Sequence, residues 1–229
     1  MSQQPDNLYE TYLRSLRLDL LSLLTYNYHE ASVLDVGCAD GNMWADSQKP
    51  KSLDGVDIDD DLLKKAGELG VYRTTSSSID NFDISGYDIV VCFGVLEHVE
   101  DYWTFSEPLQ RSKRIVMTVP NAWSFHRITG YYMGMIEDPA SMHAGDLEIG
   151  HKRVFTPEMW RDFITVFAAD GGFHKMQCGS IGMKVLSSQQ MIDIGDDKWQ
   201  SLDKTGEDLI LCGDNCFYGA ELYAILEKD

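Results

Sequence analysis

Residues 33–41 read VLDVGCADG: an apolar run broken by Asp35 that passes into a turn carrying two glycines, Gly37 and Gly41. Such a run is a buried strand entering a tight turn, because glycine tolerates backbone angles and close approaches that other residues resist. In an open α/β sheet the carboxyl end of a strand is where ligands bind. Taken alone, the turn also suits an ordinary strand-to-helix connection. A second run, LDGVDID, carries Asp57, 20 residues after Gly37. A carboxylate at that spacing can accept hydrogen bonds from both hydroxyls of a ribose.

The rest of the chain continues the pattern. Short apolar runs at 33–36, 53–56, 71–73, 89–92 and 115–119 alternate with helical stretches, which is how a parallel sheet of βαβ units is written. Leu8, Tyr12, Leu16, Leu20 and Leu24 recur every four residues, so 7–26 is expected as an amphipathic helix preceding the first strand, with Tyr9 and Tyr12 at its head as a partial lid. Residues 121–155 break the alternation with an aromatic and Met-rich stretch too long for an ordinary connection, expected to be an insertion on the acceptor side. A helix is expected to open at Thr156 and Pro157 and to run to about Ala168; strands at 173–178 and 220–226 then suit an antiparallel hairpin. The expected fold is α/β: a Rossmann-like, doubly wound, mostly parallel seven-stranded sheet with an antiparallel C-terminal hairpin and an insertion after strand five. At 229 residues one domain is expected.

The 37 acidic and 19 basic residues give a formal charge of −18, which repels phosphate backbones and anionic headgroups, so neither nucleic acid nor membrane is expected as a partner. The acidity is spread along the chain, as on a solvated surface. Five cysteines, none paired as C-x-x-C, indicate neither a disulfide framework nor a zinc site. The start MSQQPDNLYE has no signal-peptide pattern and no apolar run is long enough to span a bilayer, so a cytoplasmic location is expected.

Two cofactor classes share the ribose-binding carboxylate. A dinucleotide requires a middle glycine for close approach of its pyrophosphate, and Ala39 stands there instead. S-adenosylmethionine has no phosphate, and its methionine ammonium favours a carboxylate such as Asp35. With VDID and YDIVVCFGVLEHVED (87–101), the segment VLDVGCADG resembles the serial motifs of class I S-adenosylmethionine-dependent methyltransferases. The stretches VPNAWSFHRITGYYMGMIED and GHKRVFTPEMW resemble a bacterial group that modifies sugars, natural products and cell-envelope precursors. The resemblance implies that Asp35, Gly37, Cys38 and Gly41 form the methionine-side loop, that Asp57 holds the ribose, and that Ile58 packs on adenine. It also implies an adenine-edge segment at Ser78 and Ile79, in a register uncertain as far as Asp80, with Phe93, Gly94 and Val95 lining the methyl group.

An alcohol acceptor needs a base, and histidine is the usual one near neutral pH. His151, in GHKR after the insertion, is the first choice, against an ordinary role bonding the loop backbone. His98, past strand four, is the second, against a role shaping the following helix with Glu97. His126 comes third; His29, His143 and His174 are expected to be structural. Glu97 and His98 also resemble the metal-binding pair of ubiquinone-type O-methyltransferases, but Gly94 stands where those enzymes prefer a further acidic residue, so no metal site is expected. Trp123, Tyr131, Tyr132, Met133 and Met135 form either an apolar acceptor wall or plain core. Arg127, Lys152 and Arg153 offer local positive charge for an anionic acceptor, or are simply solvated. The implied function is methyl transfer to a small-molecule hydroxyl; the alternatives are an amine acceptor or a catalytically silent cofactor-binding subunit.

Overall fold

The structure, a computed structural model, describes residues 6–45, 49–69, 73–76, 79, 82–182 and 218–229. Its sheet has the order β3-β2-β1-β4-β5-β7-β6. The strands are β1 (Ser32–Val36), β2 (Ser52–Asp57), β3 (Arg73–Ser76), β4 (Ile89–Phe93), β5 (Arg114–Pro120), β6 (Lys175–Ile181) and β7 (Glu221–Glu227). The pairings among β1 to β5 are parallel, and β7 runs antiparallel between β5 and β6. This is a mixed α/β, Rossmann-like architecture whose order reverses between β1 and β4, the position at which such sheets open a crevice.

The central strands β1, β4 and β5 are largely apolar because both their faces are covered. Leu34, Val36, Val90 and Cys92 face one layer, built on helix α6 (Pro157–Gly171) through Trp160, Phe163, Ile164 and Phe167. Val33, Ile89, Val91 and Phe93 face the other, with Leu20, Leu21 and Leu24 beside Trp44 and Ala66. The first helix, α1 (Asp6–Ser22), contributes Leu20 and Leu21, and α2 (Asp60–Glu68) contributes Ala66. Helix α1 stops at Ser22, short of the expected residue 26, in a tight turn in which the Leu23 and Leu24 amides donate to Leu20 and Leu21 carbonyls.

A second departure follows β1. The sequence reads as a strand-to-helix turn with Asn42 and Met43 opening the helix, but only one 3-10 turn forms, Asn42–Trp44. It carries the Trp44 indole beneath the turn, where Nε1 donates to Asp35 at 2.8 Å. Helix α6 opens as expected, with the Thr156 side chain accepting from the Met159 amide and Pro157 in the first turn, and it extends past Ala168 to Gly171. Gly172, left-handed at φ 68°, closes it.

Between β4 and β5 lies α3 (Tyr102–Ser106); between β5 and α6 lie α4 (Phe125–Tyr132) and α5 (Ala144–Glu148). The 121–155 excursion is pinned at its base: Asn121 and Phe155 form a parallel bridge, and the Ala122 amide donates to the Phe155 carbonyl at 2.9 Å. Among the described residues no helix is long and apolar enough to cross a membrane.

Candidate active site

The carboxyl ends of β1 and β4 frame a cleft of about 200 Å³ lined by Arg14, Arg17, Asp35, Gly37, Cys38, Ala39, Asp40, Asn42, Met43, Phe93 and Gly94. Close backbone approach explains the glycine at position 37. Its φ is +74°, and a Cβ there would lie 2.4 Å from Cγ2 of Val95, so any side chain would displace the β4 loop. Ala39 also sits at positive φ, 44°, and its amide donates to Oδ2 of Asp57 at 2.9 Å. Oδ1 of Asp57 accepts from the amides of Ile58 at 2.7 Å and Asp59 at 3.1 Å. These three bonds fix the Asp57 carboxylate across from the glycine turn and leave an acceptor site on Oδ2, since each carboxylate oxygen accepts two hydrogen bonds. Ile58 is 82% exposed, an apolar platform beside that carboxylate.

Asp35 is buried at the floor of the cleft. Burial pushes its carboxyl up to about 6, against the Trp44 indole and the Arg17 guanidinium, which favour the charge. Burial likewise pushes the Cys38 thiol up, well out of the thiolate range at neutral pH. Ile79 is buried; Ser78 and Asp80 lie outside the described residues. Side chains of 6–12, and hence Tyr9 and Tyr12, lie outside the description as well.

Arg14 and Arg17 are the residues that the sequence did not single out. They lie three apart on α1 and reach the cleft side by side. The Arg14 guanidinium donates to the Asn42 carbonyl at 3.1 Å. Arg17 pairs with the buried Glu221 of β7 and stands 5.8 Å from the Phe93 ring centroid. A cationic mouth over a buried carboxylate is complementary to a zwitterion, whose own carboxylate and ammonium would meet opposite charges.

Next to Gly94 the loop after β4 meets the loop after α5. The Lys152 amide donates to the Glu97 carbonyl at 2.7 Å, and the Arg153 guanidinium gathers the carbonyls of Leu96, Val99 and Glu100 while stacking over Tyr102 at 4.8 Å. This docking brings His98 and His151, 53 residues apart, to 4.7 Å between ring centroids, edge to face. Glu97, His98 and His151 each offer a donor atom within 4.8 Å of the others, so the fold adds a third group to the pair visible in the sequence. Glu97 is buried, with Oε2 unpartnered among the described residues, and burial pushes its carboxyl up to about 8. His98 is exposed on one side; burial of the other and the neighbouring His151 hold it below its ordinary value, hence neutral at pH 7. His151 is buried, with Nδ1 3.6 Å from Asp146.

The basic residues of the insertion differ in their surroundings. Arg127 is taken up by Asp146 and Arg153 by backbone carbonyls, so neither presents free positive charge to an anionic acceptor, while Lys152 stays about half exposed in a surface pair with Glu100. The aromatic residues, in contrast, are not core: Trp123, Phe125, Ile128, Tyr131, Tyr132, Pro139 and Tyr218 line a shallow apolar hollow, and Met133 and Met135 are exposed.

No curated protein matches the sequence. Among solved structures, the fold resembles the plantazolicin methyltransferase BpumL in complex with SAH, at 17% identity and a TM-score of 0.63 over 98% of this chain and 88% of that one. It also resembles the methyltransferase domain of bacterial CtHen1, at 17% identity and a TM-score of 0.57, covering 92% and 95% of the two chains. A SAM-dependent methyltransferase from Archaeoglobus fulgidus superposes with a TM-score of 0.53 at 20% identity, over 93% and 92%. The family model described as a methyltransferase domain matches residues 9–159, from within α1 to the opening of α6, and the chain belongs to that family.

Proposed function

We propose that the protein uses S-adenosylmethionine to methylate a hydroxyl of a small molecule, such as a sugar, a natural product or a cell-envelope precursor. The observation that carries this reading is the meeting of His151 with His98 on the loop after β4, four residues beyond Gly94, which lines the cleft. The cofactor supplies an activated methyl group on a sulfonium, so the chain must align the acceptor and take up its proton. Asp35 serves the methionine ammonium and Arg14 its carboxylate, with Gly37, Cys38 and Gly41 as the surrounding loop. Asp57 holds the ribose, Ile58 packs on adenine, and the segment at Ser78 and Ile79 borders its edge. Phe93, Gly94 and Val95 line the methyl group. An alcohol gives up its proton only to a placed base, and His151 takes that role with His98 beside it. The reading treats the chain as one domain, with α1 closing the methionine end as a lid and residues 121–155 seating the acceptor on their apolar hollow. The formal charge of −18 argues against a nucleic-acid acceptor.

Calorimetry tests the cofactor half. S-adenosylmethionine and its demethylated product should bind in the micromolar range usual for metabolic ligands. Asp57→Ala should weaken both by about 1 to 3 kcal/mol, because ribose hydroxyls lose their acceptor. Tight NAD binding without adenosylmethionine binding would refute it. Label transfer from the cofactor to a panel of nucleotide sugars, polyols and amines tests the acceptor half.

A second reading is favoured by the Glu97–His98–His151 cluster and its orphaned Oε2. Two imidazoles and a carboxylate with open positions suit a divalent first-row ion, which would lower the acceptor's pKa directly. Treatment with EDTA decides between them: a base mechanism keeps its turnover, whereas a metal mechanism loses it, regains it with Mn²⁺, and loses Mn²⁺ binding on Glu97→Gln.

A further inference from the structure

We infer that Asp146 is the positioning residue for His151: it accepts a hydrogen bond from Nδ1–H and so leaves Nε2 as the working nitrogen. The inference rests on the reading of His151 as a reacting imidazole and asks what fixes it.

Asp146 stands at the centre of a buried knot in the insertion. Its Oδ2 accepts from Nη1 of Arg127 at 3.0 Å and from the His143 amide at 2.9 Å; its Oδ1 accepts from the same Arg127 nitrogen at 3.1 Å and faces Nδ1 of His151 at 3.6 Å. Arg127 cannot swing away, because its Nε donates to the Pro139 carbonyl at 2.8 Å and its Nη2 to the Ser141 carbonyl at 2.5 Å. The backbone closes the same loop, the His151 amide donating to the Asp146 carbonyl at 2.9 Å. All three side chains are nearly out of water, at 11%, 12% and 6% exposure for Arg127, Asp146 and His151.

Arg127 meets both carboxylate oxygens of Asp146 and the His143 amide donates to one of them, the surroundings of an ionised carboxylate. An ionised carboxylate can only accept, and Nδ1 of His151 is buried with no hydrogen-bond partner among the described residues. A shift of about 0.7 Å would bring the pair from 3.6 Å to an ordinary hydrogen bond. The proton therefore belongs on Nδ1. A carboxylate behind an imidazole sets the tautomer in the same way for a general base and for a metal ligand. The knot also ties this choice to α4, which carries Arg127 on one turn and the exposed Phe125 and Tyr131 of the apolar hollow on its others.

The test is Asp146→Asn, read by nitrogen-15 spectra of the histidine rings and by kinetics. Oδ2 serves two N–H donors and Oδ1 one, so the amide oxygen keeps the Oδ2 place and the amide nitrogen faces His151 with a donor. The His151 ring should then move from the Nδ1–H to the Nε2–H tautomer. Turnover should fall at least tenfold with cofactor affinity within twofold, as a wrong tautomer disables a base without removing it. Arg127→Gln is the structural control: it loosens the insertion but leaves a carboxylate on His151, and should preserve the Nδ1–H tautomer while raising the acceptor KM. If Asp146→Asn leaves the tautomer unchanged, or Arg127→Gln changes it equally, the inference fails. Should Asp146→Asn not fold, Asp146→Glu replaces it and is expected to retain Nδ1–H; its loss there counts against the inference. The spectra read the tautomer without turnover, so His151→Ala with undiminished kcat would sink the base reading and leave this result standing.

Discussion

Removing the imidazole of His151 should lower kcat by about 100- to 10,000-fold, the range a placed general base contributes, while adenosylmethionine affinity stays within about twofold. The separation of the two effects is the informative part. The cofactor cleft is lined by residues of α1, β1, β4 and the loops that follow these strands, and His151 is not among them. Because His151 is buried, truncation also leaves a void, so His151→Gln, which keeps most of the volume and no base, should be measured beside His151→Ala and both checked by thermal unfolding. His98→Ala is the comparison. His98 faces solvent on one side whereas His151 is buried, so the loss of His98 should be the milder of the two. A reversed order, with His98→Ala inactive and His151→Ala active, would move the base to the β4 loop. Retention of turnover by both would point to an amine acceptor, which attacks without a strong base.

The parts of this site that the sequence discloses are those governed by local rules. Buried parallel strands are apolar along their whole length, so β1, β2, β4 and β5 stand out within a residue or two of their limits, and the Gly37 turn and Asp57 come with them. The meeting of His98 and His151 is different: it depends on a backbone bond from Lys152 to Glu97 and on one guanidinium collecting three carbonyls, contacts without a sequence period. Arg14 and Arg17 escaped for another reason. On an amphipathic helix, charged residues three apart on the polar side read as a solvated face, and only the placement of α1 over the cleft gives them work. Their position between Leu13, Leu16 and Leu20, which are buried, is the one signal that set them near the domain surface rather than away from it. The 3-10 turn after Gly41 was hidden too, because it exists to carry the Trp44 indole to Asp35, a pairing across nine residues.

That pairing sets up opposed effects for Asp35→Asn: the protein without cofactor should become more stable at pH 7 and bind adenosylmethionine at least tenfold more weakly. Asp35 is 3% exposed, and burial raises its folded carboxyl to about 6 from an ordinary value of 3.8. Between those values the folded state binds more protons than the unfolded state, so this group favours folding most below about pH 4 and loses that contribution as pH rises through 6. At pH 7 the folded chain holds an ionised carboxylate against desolvation, a penalty of about 3 kcal/mol for a shift of this size. Asparagine removes the charge and still offers an oxygen to the Trp44 indole, so most of that penalty should disappear. The difference in unfolding free energy between variant and wild type should be largest near pH 7 and shrink toward pH 4; taking the difference cancels the titration of the other carboxylates. The cofactor ammonium, in turn, loses a charge-assisted bond worth about 1.5 to 3 kcal/mol, which is the tenfold or greater loss of affinity. A variant that is less stable at pH 7 yet binds the cofactor as tightly as wild type would show that Asp35 serves the fold through Trp44 and not the ammonium.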